Sequence, residues 1–247
     1  HTLRVRYAES NDNATAGEEA LSPFKIATAY SGTGTDPSGV ADATATKEGD
    51  PGRKMSIQIL KQTVEAKSRK LSARWTFGAA QDAQSMHGID VEAEIMAALA
   101  QEITAEIDQE IIQSLTTLSG TAAETYDQAA VSGTATFVGD EHAALAVQIN
   151  RVSNLIAQRT RRGAGNWAVV SPFALTILQS ATTSAFARTT EGTFEAPTNT
   201  KMVGTLNSAM KVYVNTYAAD NAAVLVGYKG TSESDAAAFY CPYIPLM

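Results

Sequence analysis

Cysteine, histidine and long apolar runs are all scarce in this chain. Of 247 residues only Cys241 is a cysteine, so no internal disulfide forms, and we expect this thiol to be buried and inert in an edge strand. The three histidines show no HExxH spacing, and no nucleophile elbow appears. The sequence therefore predicts no enzyme, no catalytic residue, no metal site and no cofactor. No apolar run approaches the roughly 18 to 20 residues of a membrane span, so no membrane partner is expected.

Positive charge is absent from one long stretch and concentrated in the stretch before it. From Phe77 to Leu118 there is no lysine or arginine, while eight acidic residues occur. Between Arg53 and Arg74 seven positive residues stand against Glu65 alone. The whole chain has a net charge of −7, which argues against a general polyanion binder because such a surface repels phosphates.

The acidic stretch has the pattern of one long amphipathic helix. Apolar residues recur every four positions, which places them on one helix face. They are Val91, Ile95, Leu99, Ile103, Ile107 and Ile111. Gly88 ends a preceding short helical piece, and Asp90 fits an N-cap. A helix from Asp90 to about Leu118 is about 42 Å long. Because it contains no positive charge, we expect it to lie against the basic segment of its own subunit or of a neighbour.

The first 66 residues predict extended structure. Apolar and polar residues alternate from Met55 to Thr63, and Val64 to Ala66 are also β-prone, which indicates a strand. Pro23 to Tyr30 is a second predicted strand, and the polar residues 31–50 between them form a loop. The two strands and their loop predict a long two-stranded flap. Residues 1–22 lack periodicity beyond a short alternation at Leu3, Val5 and Tyr7, and fit an extended N-terminal arm.

The second half of the chain alternates helices and strands. A helix is predicted from the apolar spacing of Leu145, Ile149, Val152 and Ile156. A strand follows at Trp167 to Val170. Ser171 and Pro172 then fit the N-cap and first position of a helix that runs to about Ser180. Residues 181–201 have a loop composition. The last four predicted strands are 202–206, 210–216, 223–228 and 236–244, so the fold class is α+β.

Our candidate functional residues are the oppositely charged side chains of the basic stretch and of the acidic helix. We predict that they form an inter-subunit contact made by Lys67, Arg69, Lys70, Arg74, Glu102, Glu106 and Glu110. Nucleic-acid binding by the basic run is the alternative, but aromatic residues for base stacking are limited to Trp75 and Phe77. The helix acids, one turn apart, also permit a metal or acid/base site, although no histidine lies within that helix.

One run, TVEAKSRKLSARWTFGAAQDAQSMHGIDVEAEIMAALAQEITAEIDQEII, resembles the strand and spine helix of the major capsid proteins of T-even-like tailed bacteriophages. The later segments RTRRGAGNWAVVS, VGYKG and FYCPYIPLM are similar to the same family in the same order. The resemblance implies an HK97-like fold with a long spine helix, an extended two-stranded loop, and peripheral and axial domains. It also implies a cleaved N-terminal region and a further C-terminal segment, neither of which these residues include.

The resemblance divides the chain into five parts. These are an N-terminal arm (1–22), an extended loop with its adjoining strand (23–66), a peripheral domain with the spine helix (67–120), an axial domain (121–235) and a return strand to the peripheral domain (236–247).

The same resemblance implies a head-shell protein of the virion, assembled in the host cytoplasm. Copies are expected to form hexamers, and pentamers if the vertices use the same chain, which join neighbouring capsomers into an icosahedral shell. Double-stranded DNA is an expected non-specific partner, and scaffold, portal and decoration proteins are further candidates. The alternatives are a pentameric vertex paralogue, an encapsulin-like nanocompartment shell and, more remotely, a metal-dependent enzyme.

Overall fold

The computed structural model describes residues 2–11, 13–20, 30–34, 39–127, 138–180, 186–188, 200–207, 209–233 and 235–243. The chain divides into two compact units, His1–Ala66 and Lys67–Met247. No helix among the described residues combines the length and apolar character that crossing a membrane requires.

The first unit contains a two-stranded antiparallel sheet and one short helix. Strand β1 (Thr2–Tyr7) pairs with β2 (Met55–Leu60), and the single-turn helix α1 (Thr44–Lys47) lies in the region predicted as a polar loop. The register places Leu3 opposite Ile59. Since side chains alternate along each strand, the apolar residues of both strands share one face.

Two predictions for this unit need correction. The partner of β2 within the described residues is β1, whose short alternation matches that of β2, whereas the predicted strand at 23–30 lies outside them except for Tyr30, which is not in a strand. In addition, β2 ends at Leu60 rather than continuing to Ala66, because residues 61–66 have no strand partner among the described residues.

The segment predicted as an N-terminal arm folds back on itself over its described residues. The backbone N–H of Ala20 donates to the Val5 carbonyl at 2.8 Å, and that of Gly17 donates to the Tyr7 carbonyl at 2.8 Å. A small buried cluster closes around this turn, consisting of Tyr7, Ala14, Ala20 and Tyr30. In the single chain these residues therefore belong to a compact unit, and the role of this segment as an arm stays a prediction.

The second unit begins with two helices whose ends match the sequence signals. Helix α2 (Phe77–His87) ends at Gly88, which adopts a left-handed conformation with φ 67°. Helix α3 (Val91–Ser119) then begins after Asp90, whose Oδ1 accepts hydrogen bonds from the backbone N–H groups of Glu92 at 3.1 Å and Ala93 at 3.4 Å. The predicted long helix and its N-cap are confirmed.

The remainder of the second unit packs two helices with a mixed sheet. The helices are α4 (Val138–Thr160) and α5 (Pro172–Ser180), and the strands are β3 (Trp167–Val170), β4 (Phe186–Arg188), β5 (Thr200–Leu206), β6 (Met210–Asn215) and β7 (Leu225–Gly227). The five strands lie in the order β4-β5-β6-β3-β7, with β3 and β6 parallel. The α+β class is confirmed, as are β3 and the Ser171 cap, whose hydroxyl accepts from the Ala174 N–H at 3.2 Å.

The main hydrophobic core lies where α4 and α5 pack with this sheet. Its buried members are Leu145, Ala146, Ile149, Ala168, Val170, Ala174, Ile177, Leu178, Leu206, Met210 and Val212. The predicted helix face of Leu145 and Ile149 is therefore a core face, as its spacing indicates.

Three predictions for this half were wrong. The loop predicted at 181–201 includes β4, which pairs with β5. The strand predicted at 236–244 is not formed over residues 236–243, where three alanines have weak β propensity and Pro242 has no N–H to donate. Cys241 lies in that irregular segment, so its thiol is exposed rather than buried.

Candidate functional site

The candidate site lies on α3 and on the irregular segment that precedes α2. Only Ala105 is buried among the 29 residues of α3, while the apolar stripe from Val91 to Leu115 is half-buried. Glu102, Glu106 and Glu110 are exposed on this helix at a spacing of one turn. Because these carboxylates stand in a row, the helix presents a line of negative charge to whatever approaches it.

Arg69 contacts two of these carboxylates within the same chain. Its Nη1 lies 3.0 Å from Glu106 Oε2, and its Nη2 forms an ion pair with Glu110 Oε2. The hydrogen bonds that the Arg69 guanidinium donates to the Glu106 and then the Glu110 carboxylates raise the pKa of Arg69 above its usual value. The guanidinium therefore bridges consecutive turns of α3 as a fixed positive charge.

The other four predicted residues form no ion pair in the described part of the chain. Lys67, Lys70 and Arg74 extend from the irregular segment into solvent, and Glu102 stands one turn before the Arg69 contact. The structure thus brings together Arg69, Glu106 and Glu110 and leaves the remaining charges available. The contact that forms is intramolecular, and whether the set also joins subunits stays a prediction.

A shallow depression of about 310 Å³ opens beside the Arg69 contact. It is lined by Arg69, Glu102, Ala105, Glu106, Gln109, Glu110 and Tyr217. Of these residues Tyr217 comes from the stretch that follows β6. Within the described ranges, no group of three or more histidine, cysteine, aspartate or glutamate side chains is arranged to hold a metal ion.

Sequence reasoning missed Gln109, which lines this depression, and its hydrogen-bond partner Asn215. Gln109 Nε2 donates to Asn215 Oδ1 at 2.9 Å, and Asn215 Nδ2 donates to Gln109 Oε1 at 3.1 Å. Asn215 is the last residue of β6, so the pair joins α3 directly to the sheet. The two residues are 106 positions apart, and neither belongs to a motif, so no local signal marks the pair.

The irregular segment between β2 and α2 exposes apolar groups as well as charge. Residues 61–76 have no regular secondary structure. Leu71 and Trp75, which both belong to the second unit, are exposed within it. An extended stretch with both free charges and uncovered apolar side chains is typical of a surface that another chain covers.

The face shared by β1 and β2 in the first unit is a second surface that the chain covers only in part, at Tyr7. Leu3, Met55, Ile57 and Ile59 are all exposed there although their apolar side chains lie together. Ile57 is 70 % exposed in the middle of β2. A lone two-stranded sheet is marginal in water, so this face favours a partner.

Comparison with known proteins gives one consistent result. The sequence model of the family described as major capsid protein Gp23 matches residues 2–247. Proteins named major capsid protein are 35 % identical over 209 residues in Vibrio phage KVP40 and 34 % identical over 214 residues in Enterobacteria phage T4. These alignments cover 78 % and 80 % of this chain but 40 % and 41 % of the relatives. A third, from Salmonella phage ViI, is 28 % identical and covers 99 % of this chain and 63 % of the relative. The chain thus spans about two fifths of the length of the KVP40 and T4 proteins.

Proposed function

The chain belongs to the Gp23 family of major capsid proteins, and from this we propose that it is a structural unit of a bacteriophage head shell. In this proposal its activity is self-association rather than chemistry. The observation that carries the proposal is helix α3, of whose 29 residues only Ala105 is buried by the subunit itself. A helix with an apolar stripe normally packs that stripe against other elements, so neighbouring copies cover the stripe of α3.

The architecture we propose is HK97-like. Helix α3 serves as the spine of a peripheral domain over residues 67–120, and the five-stranded sheet with α4 and α5 forms an axial domain over residues 121–235. The mixed helix and strand content and the family membership support this assignment. Copies then associate head to tail into hexamers, and into pentamers if this chain also occupies the vertices.

We further propose that the basic side chains of the irregular segment before α2 form, with α3, one of the contacts between copies. Lys67, Lys70 and Arg74 carry positive charges that no carboxylate of the described chain pairs with, and Glu102 carries the complementary charge. Complementary surfaces of this kind steer association and fix its register more than they add affinity. Arg69, already held by Glu106 and Glu110, positions the segment along the helix.

A charge-reversal experiment tests this contact. The variant Lys67→Glu, Lys70→Glu, Arg74→Glu leaves the Arg69 contact in place, and it is expected to remain a folded, soluble subunit but to form no shells when examined by negative-stain electron microscopy and light scattering. The matched control is Arg159→Glu, Arg161→Glu, Lys211→Glu, which changes the net charge equally but lies outside the proposed contact.

The two variants separate the possible outcomes. Shells from the control and none from the first variant support the contact. Normal shells from the first variant would count against it while leaving the head-shell function intact. A wild-type chain that builds no rings or shells, either alone or with the other head proteins, would count against the function itself.

A further inference from the structure

Helix α3 is attached to the rest of its unit by few contacts. All its 29 residues are described, and only Ala105 is buried. A helix that packs a complete face into a core is held in direction by many side chains at once. Because the apolar stripe of α3 is only half-buried in the single chain, specific polar contacts contribute more to the direction of this helix than they would in a fully packed one.

A closed pair of amide groups joins α3 to the sheet. Gln109 and Asn215 each donate one hydrogen bond to the other, at 2.9 and 3.1 Å. The backbone N–H of Tyr217 also donates to Asn215 Oδ1 at 3.2 Å. Asn215 is only 6 % exposed, so its amide depends on these protein partners rather than on water. Two parallel bonds between planar groups fix orientation as well as distance.

The amide pair joins the end of the middle strand of the sheet to an interior position of α3. Asn215 ends β6, the middle strand of the five-stranded sheet. Gln109 lies within α3, with 18 residues of the helix before it, so the N-terminal arm of the helix extends about 27 Å from this point. The Arg69 contact lies on the same part of α3 but comes from the irregular segment, and it does not tie the helix to the sheet.

We propose that the Gln109–Asn215 amide pair is a latch that sets the angle between α3 and the five-stranded sheet, and that α3 pivots about this point when the latch opens. The pair either forms with both bonds or opens, because losing one partner leaves a buried amide unsatisfied. This inference concerns the conformation of the single subunit and goes beyond the proposed shell function.

The expected displacement is measurable. Ala97 lies 12 residues before Gln109, or about 18 Å along the helix, so a pivot of about 10° moves it by about 3 Å. Spin labels at Ala97→Cys and Lys211→Cys, in a Cys241→Ser background, report the distance from α3 to β6 by pulsed electron paramagnetic resonance. Both labelled positions are exposed, so the labels disturb no packing.

The test compares two glutamines on the same helix. Gln109→Ala is expected to broaden the distance distribution and shift its mean by about 3 Å, while circular dichroism shows that α3 remains helical. Gln113→Ala, an exposed position one turn later, is expected to leave the distribution unchanged. A Gln109→Ala distribution identical to that of the unchanged chain would overturn the proposal.

A swap of the two residues tests the pair itself. Gln109→Asn combined with Asn215→Gln keeps the total side-chain length and both amides. The distance distribution of the double variant is therefore expected to be narrower than that of Gln109→Asn or Asn215→Gln alone. A double variant as broad as the single ones would also overturn the latch, since it would show that local packing rather than the amide pair holds α3. These measurements use the soluble subunit, so they do not depend on shell assembly.

Discussion

Truncating Leu178 to alanine should destabilise the second unit strongly. Leu178 lies on α5, is 2 % exposed, and belongs to the main core with Leu145, Ile149, Val170 and Val212. It is among the largest fully buried side chains of the described chain. The side chain is therefore surrounded on all sides, and its removal leaves a space that the helices and the sheet must either tolerate or collapse into.

The magnitude follows from burial and from the limited freedom of α5. Leucine-to-alanine changes at fully buried sites cost about 2.7–5 kcal/mol, and the upper part applies when the surroundings cannot relax. Alanine is the better helix former, but this offsets only a few tenths of a kcal/mol. We expect a net loss of about 3 kcal/mol, against a total stability of about 5–15 kcal/mol for a native domain.

The assay is urea unfolding of the soluble subunit, followed by tryptophan fluorescence. Both tryptophans, Trp75 and Trp167, lie in the second unit, so the signal reports that unit. The matched control is Leu118→Ala, the same chemical change at a residue that is 67 % exposed at the end of α3, with an expected loss within about 0.5 kcal/mol. Equal midpoints for the two variants would refute the assignment of the core.

Two further predictions concern a glycine and a carboxylate. An alanine Cβ at Gly227 would overlap the indole of Trp167 on the paired strand, so Gly227→Ala should lower the free energy of unfolding by about 1–3 kcal/mol and change Trp167 fluorescence. The control is Gly78→Ala in α2, whose Cβ meets no neighbour and which should stabilise the chain by about 0.5–1 kcal/mol in thermal unfolding. The pKa of Asp50 is lowered, first by the backbone N–H of Gly52, which lies 3.0 Å from Asp50 Oδ1, and then by Lys47. The stabilisation of the fold by the Asp50 carboxylate is therefore present above the ordinary pKa of aspartate, and it is lost as the pH falls through the lowered pKa. A carboxyl NMR titration should show this lowered pKa in the unchanged chain and a value closer to normal in Lys47→Met; equal values would contradict the role of Lys47.

The elements that the sequence predicts best are those with their own boundary signals. Asp90 caps α3 and Gly88 ends α2, as their side chains and backbone freedom indicate. Ser171 and Pro172 likewise place the start of α5 within one residue. Each of these signals acts over four residues or fewer, so one chain segment contains all the information needed.

Contacts between distant segments could not be predicted in the same way. The alternation in Leu3 to Tyr7 is too short to identify a strand until β2 supplies its partner, nearly fifty residues later. Gln109 and Asn215 are ordinary polar residues until the fold brings their amides together. The strand predicted at 236–244 shows the converse error, since a few aromatic residues do not form a strand among alanines of weak β propensity and beside Pro242, which has no N–H to donate.

The exposed part of the face shared by β1 and β2 indicates how strongly copies should bind one another in the shell we propose. Isolated exposed leucines are normal on protein surfaces, but Leu3, Ile57 and Ile59 lie together on one face of a two-stranded sheet and form a continuous patch. Burying one such side chain contributes about 1.5–3 kcal/mol, and part of the total is offset by the entropy lost on association. One contact of this size is therefore weak and reversible, so a misplaced copy can dissociate. A closed shell becomes stable because every copy makes several such contacts at once, and separating one copy requires breaking them together.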